Sequence, residues 1–77
     1  MTPQEIRKKI KVGSRVRLKR GAEVYQEGRA TPVRSMARPN WVDVNKLYPG
    51  GAVGWIGTGS RQFYAKRRSV DDIEDRS

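Results

Sequence analysis

Ser14-Arg15-Val16-Arg17-Leu18-Lys19 alternates without a break. Val16 and Leu18 fall on one side of an extended chain and Arg15, Arg17 and Lys19 on the other, which is the period-two pattern of a half-buried strand. The pattern predicts a strand with an apolar inner face and an outer stripe of three cations spaced about 6 to 7 Å apart. This stretch selects a β architecture and also nominates the first functional surface.

Outward from it, punctuation and patterning divide the rest of the chain. On the N-terminal side, Thr2-Pro3-Gln4-Glu5 is a helix start: a capping hydroxyl, a proline suited to the first helical position and a glutamate that can return a bond. A short helix is expected to about Ile10, with Ile6 and Ile10 on one face, and Gly13 ends it. On the C-terminal side, Val24-Tyr25 reads as a short strand or an extended loop edge, and residues 29–40, punctuated by Pro32 and Pro39, as a long, partly ordered loop. Trp41 to Val44 alternates as a strand, and Tyr48-Pro49-Gly50-Gly51 is a turn expected to fold it against 52–57 as a hairpin. Gln62 to Lys66 is a further strand. Ser69-Val70-Asp71-Asp72 reads as a capped helical turn that brings Val70 and Ile73 inward. Trp55 and Phe63 are assigned to the core. Trp41 is either an outward-facing platform or a core ring.

With 77 residues the chain makes one small domain, able to hide only about 60% of its unfolded surface. Eight Val and four Ile favour strands, and the absence of cysteine excludes disulfides and thiolate metal sites. The charged N-terminus lacks the apolar region of a signal peptide and no run approaches the length of a membrane span, so a cytoplasmic location with no membrane contact is expected.

The charge is uneven. Sixteen of the seventeen Lys and Arg lie between Arg7 and Arg68, where only Glu23, Glu27 and Asp43 oppose them, a local formal charge of +13; the last nine residues carry −3. Eleven of the seventeen are Arg, whose planar fork suits phosphate and base stacking. An anionic partner is expected.

Five short strands, a Gly-Gly hairpin tip and a terminal helical turn predict a mainly β fold, a small SH3-like barrel over 12–73, with a helical segment at 1–11 and a frayed acidic tail at 74–77. Val12-Gly13-Ser14-Arg15-Val16-Arg17-Leu18-Lys19, with Gly21-Ala22, Tyr25-x-x-Gly28 and the closing Ser69-Val70-Asp71-Asp72-Ile73, resembles the bacterial SH3-like (SH3b) modules of phage endolysins and cell-wall enzymes. The valine-glycine opening is also similar to KOW-type modules, which bind nucleic acid or nucleoprotein complexes. The first resemblance implies a cell-wall peptide ligand held by aromatic residues, here Tyr25, Trp41 and Tyr64.

The side chains argue against catalysis. No histidine or cysteine is present, and no serine has an evident activator. Asp71-Asp72-x-Glu74-Asp75 lacks the glycine and spacing of a calcium loop, so no metal or cofactor is expected and the cluster reads as a solvated tail or a partner for the basic face. The leading expectation is a non-enzymatic module that binds nucleic acid or the acidic protein surface of a nucleoprotein complex. Its candidate residues are Arg15, Arg17, Lys19, Arg34, Arg38, Trp41, Tyr64, Lys66, Arg67 and Arg68. The small size and phage-like resemblance also allow a mobile-element inhibitor of a host nucleoprotein machine, anti-CRISPR-like in kind, and the SH3b likeness a cell-wall binder.

Overall fold

A computed structural model describes residues 2–74. In chain order these form α1 (Pro3–Lys8), β1 (Arg15–Leu18), β2 (Glu23–Gln26), β3 (Arg34–Ser35), β4 (Asn40–Asp43), β5 (Lys46–Leu47), β6 (Val53–Ile56), β7 (Gln62–Ala65) and β8 (Val70–Glu74). Two 3-10 turns, Thr58–Ser60 and Arg67–Ser69, flank β7. The fold is mainly β, as expected. The closed barrel is not formed: the strands make two antiparallel sheets, ordered β4-β1-β8 and β3-β2-β7-β6-β5.

Both sheets turn their apolar sides to one core. Val16, Leu18, Val42 and Val70 enter from the first sheet; Val24, Val53, Trp55, Phe63 and Ala65 enter from the second. Leu18, Val16, Val24, Val53 and Val70 are fully buried, each worth about 1.5 to 3 kcal/mol of transfer free energy. Helix α1 adds Ile6, with Ile10 just beyond its end, and packs beside β8. Its start is as expected: the Thr2 hydroxyl accepts from the Glu5 amide at 3.2 Å and Pro3 opens the helix.

Three expectations change. The Trp41–Val44 strand does not make the hairpin with 52–57; it pairs with β1, with Val42 opposite Val16. The Tyr48-Pro49-Gly50-Gly51 turn instead joins β5 to β6, closed by the Gly51 amide on the Tyr48 carbonyl at 2.9 Å. Alternation decides which face Val42 and Val44 present, whereas the choice of partner strand depends on the whole sheet. The stretch 29–40 is also pinned: β3 lies along β2, and Met36 and Gly21 lock to each other's strand through bonds of 2.8 and 2.9 Å, Gly21 N–H to Met36 O and Met36 N–H to Ala22 O.

The third change concerns the C-terminus. The helical turn ends at Ser69 rather than starting there, and Val70–Glu74 is a strand. Arg17 pairs with Asp72 and Leu18 with Val70, so Asp71 is an extra residue in a bulge. In a regular strand Val70 and Ile73 would face opposite ways. The bulge resets the alternation, so that both reach the core side, which is why their three-residue spacing mimics a helix. Glu74, assigned to a frayed tail, closes β8 opposite Arg15; residues 75–77 of that tail lie outside the described residues.

Candidate nucleic-acid interface

Directly paired residues of an antiparallel sheet share a face. The outer face of the first sheet therefore carries two rows: Trp41, Arg17 and Asp72, then Asp43, Arg15 and Glu74. Arg15 sits between Asp43 at 3.7 Å and Glu74 at 3.4 Å. Arg17 Nε donates to Asp71 Oδ1 at 2.8 Å, because the bulge aims that carboxylate back at β1. This hydrogen bond, with the attraction of the same carboxylate, raises the Arg17 pKa above its ordinary value. Two guanidiniums meet four carboxylates here, Asp43, Asp71, Asp72 and Glu74, so the expected cationic stripe becomes a surface of formal charge −2.

Arg67 is engaged as well. Its Nε donates to the Gly51 carbonyl at 2.8 Å and its Nη1 to the Arg7 carbonyl. It thus ties the β5–β6 turn to the C-terminal end of α1, where orphan carbonyls accept cationic donors readily. Gly51 is suited to this contact twice over: its φ is +93°, and an added Cβ would lie 2.8 Å from Arg67 Nε.

The remaining candidate cations are exposed. Lys19, Lys66 and Arg68 converge on an open depression of about 240 Å³ at the end of β1, lined also by Gly21, Ala22, Glu23 and Ser69. The Lys19 amide donates to the Ser69 carbonyl at 2.9 Å, and the Ser69 amide to that of Lys66, so backbone bonds hold the three cations around one turn. None of the three has an ion pair among the described residues. Arg38 is exposed between β3 and β4 and lines neither this depression nor the groove described next.

A second concavity, about 470 Å³, runs beside β4, an edge strand of its sheet. Trp41, Asn40 and Asp43 of β4 line it, together with Arg34, Met36, Trp55 and the exposed Ile56. Arg34 rests over the Phe63 ring with its guanidinium carbon 5.3 Å from the centroid. Gly57 opens the floor: a Cβ there would lie 2.6 Å from Phe63 Cδ2.

Tyr64 has a different setting. It stacks on Tyr25 at 5.1 Å and 12°, and Tyr48 tilts against it at 4.9 Å. The space that Tyr48 occupies exists because position 54 is Gly, where a Cβ would meet Tyr48 Cε2 at 2.8 Å. The Tyr64 hydroxyl donates to the Arg29 carbonyl at 2.8 Å. Beside this trio Lys46 Nζ donates to Glu27 Oε1 at 3.1 Å and Tyr48 donates to Glu27 Oε2; the bond from Lys46 leads in holding the Glu27 pKa below its usual range, and the same bond raises that of Lys46.

The ten candidate residues therefore separate. Lys19, Lys66 and Arg68 come together, Arg34 and Trp41 come together, Arg15, Arg17, Arg67 and Tyr64 are held by the protein's own groups, and Arg38 joins neither concavity. Glu23 and Ser69 in the depression, and Asn40 and Ile56 in the groove, were not among the candidate residues. The signal available for Ile56 is its place after Trp55: once Trp55 is buried, alternation turns Ile56 outward. Comparison with protein-family models, with curated proteins and with solved structures finds no match. No helix among the described residues is long and apolar enough to cross a membrane.

Proposed function

We propose that this protein is a non-enzymatic module that binds nucleic acid through its phosphates. The observation that carries the reading is the convergence of Lys19, Lys66 and Arg68 on one depression, with only Glu23 among its lining residues to oppose them. Backbone bonds set the three cations around one turn, and their field attracts phosphate polymers over a Debye length, about 10 Å at 0.1 M salt. Arg20, exposed next to Lys19 in the chain, adds to the positive charge at this end of β1. An SH3-like strand plan, opened between its two sheets, belongs to the same reading; the short antiparallel strands and the 3-10 turn near the C-terminus support it.

Fluorescence anisotropy with single- and double-stranded DNA and RNA tests this. Binding is expected at about 50 mM salt, weakening on a log-log plot with a slope of about −0.9 for each duplex phosphate neutralised. Absence of binding to all four polymers overturns the proposal. Co-sedimentation with purified peptidoglycan that persists at moderate salt would favour the cell-wall reading in its place.

A further inference from the structure

The six aromatic side chains are not equivalent. Tyr64 stacks on Tyr25 and meets Tyr48 at a tilt, Trp55 stacks on Phe63, and Trp41 alone has no ring partner among the described residues. It lies half-buried at the edge of the groove, on the outward side of β4. Arg34, seated on Phe63, stands in the same groove with the exposed amide of Asn40, which offers both a donor and an acceptor.

We propose that this groove takes one unpaired nucleobase of a single strand whose phosphates rest on Lys19, Lys66 and Arg68. The inference rests on the phosphate-binding reading above and adds single-strand selectivity to it. Charge divides the two concavities. The groove's lining holds one cation, Arg34, and one carboxylate, Asp43, which suits an uncharged base, whereas three cations oppose Glu23 in the depression, which suits phosphate. One backbone hydrogen bond links the two linings. Ala22 lines the depression and Met36 the groove, and the Met36 amide donates to the Ala22 carbonyl at 2.9 Å. A single strand that crosses this bridge sets a base against Trp41 while its backbone stays on the cations. A ring with an open side beside a cationic track is the arrangement by which single strands are held without base pairing.

Anisotropy with a labelled oligodeoxyadenylate of about ten nucleotides, an abasic strand of the same length and the matching duplex, at about 50 mM salt, separates the possibilities. The base-bearing strand is expected to bind about tenfold or more tightly than the abasic one. Trp41→Ala removes that preference while the abasic affinity and the salt slope stay unchanged. Arg34→Gln reduces the preference as well, and Trp41→Phe removes the part of the fluorescence quenching that Trp55 does not supply. Equal affinity for the base-bearing and abasic strands overturns the base site and leaves the phosphate reading standing; binding to no strand overturns both. Indole fluorescence that does not change on saturation, the result expected if the groove takes an extended peptide along the open edge of β4, also overturns the base site.

Discussion

On the outer face of the first sheet, Arg15 and Arg17 stand among Asp43, Asp71, Asp72 and Glu74; just beyond the same strand, Lys19 stands with Lys66 and Arg68, and Glu23 is the one carboxylate among the lining residues. The two regions share a strand and a residue type, yet one is net acidic and the other net basic. The difference comes from what lies alongside. β8 brings its carboxylates across from the far end of the chain onto the middle of β1, and its bulge turns Asp71 onto Arg17. Lys19 lies past the last paired residue of β1, where the neighbouring segment is the Lys66–Ser69 turn. Availability of a cation is therefore a property of its cross-strand neighbour, because an opposite charge at hydrogen-bond distance occupies it far more fully than a dispersed field does.

The largest expected effect breaks this comparison at its open end. Lys19→Glu with Lys66→Glu and Arg68→Glu should lower affinity for a nucleic acid by about three orders of magnitude at 50 mM salt and flatten the log-log salt slope by about 2.7, as measured by anisotropy. Arg15→Gln with Arg17→Gln should change it by less than about tenfold in the same assay, since those guanidiniums are already held. A loss from the second pair equal to that from the first would erase the distinction.

Arg67 supplies the next test, on stability rather than affinity. It neighbours Lys66 and Arg68 in sequence but spends its guanidinium on the Gly51 and Arg7 carbonyls. Arg67→Ala should cost about 2 kcal/mol, lowering Tm by roughly 10 °C, with affinity for nucleic acid nearly unchanged once the protein is folded. Thermal unfolding followed by circular dichroism reads the first quantity and anisotropy the second.

Asp71→Asn with Asp72→Asn sharpens the contrast from its closed side. Removing two carboxylates brings the formal charge of the outer face from −2 to zero and frees Arg17. Affinity should rise about two- to fivefold at low salt, and the gain should vanish at about 0.5 M, where screening is strong.

The smallest effect is the pH dependence of the Glu27–Lys46 pair beside the tyrosine trio. Glu27 has a folded pKa below its unfolded value, so its contribution is present above the ordinary glutamate value of about 4.3 and is lost as pH falls through the lower folded one. Lys46 has a raised pKa, so its contribution is present below the ordinary lysine value of about 10.4 and is lost as pH rises through the higher folded one. Glu27→Gln should flatten the Tm profile at both extremes, and leave it unchanged near neutrality apart from a uniform offset.

Much of the fold was legible wherever a local rule was sufficient. The capped helix, the alternation of β1, the Gly-Gly turn and the burial of Trp55 and Phe63 each follow from a few neighbouring residues. What escaped was non-local. The partner of β4, the pinning of 29–40 by β2 and the bulge at Asp71 depend on strands far apart in sequence, and nothing in a run of valines names the strand it will pair with. The candidate site divides in the same way. Lys66 and Arg68 were visible as a basic knot, but their meeting with Lys19 required the turn that follows β7 to lie against the end of β1.

The amino-acid sequence by itself determined a cysteine-free, strand-rich domain with a large positive excess, since composition and period-two alternation depend on no partner. Tertiary structure alone decided which cations remain open to solvent and which aromatic ring lacks a partner. Ion pairs and stacking act over a few ångströms, and only the packed sheets bring Asp71 to Arg17, Tyr64 between two rings, and Trp41 to an open edge.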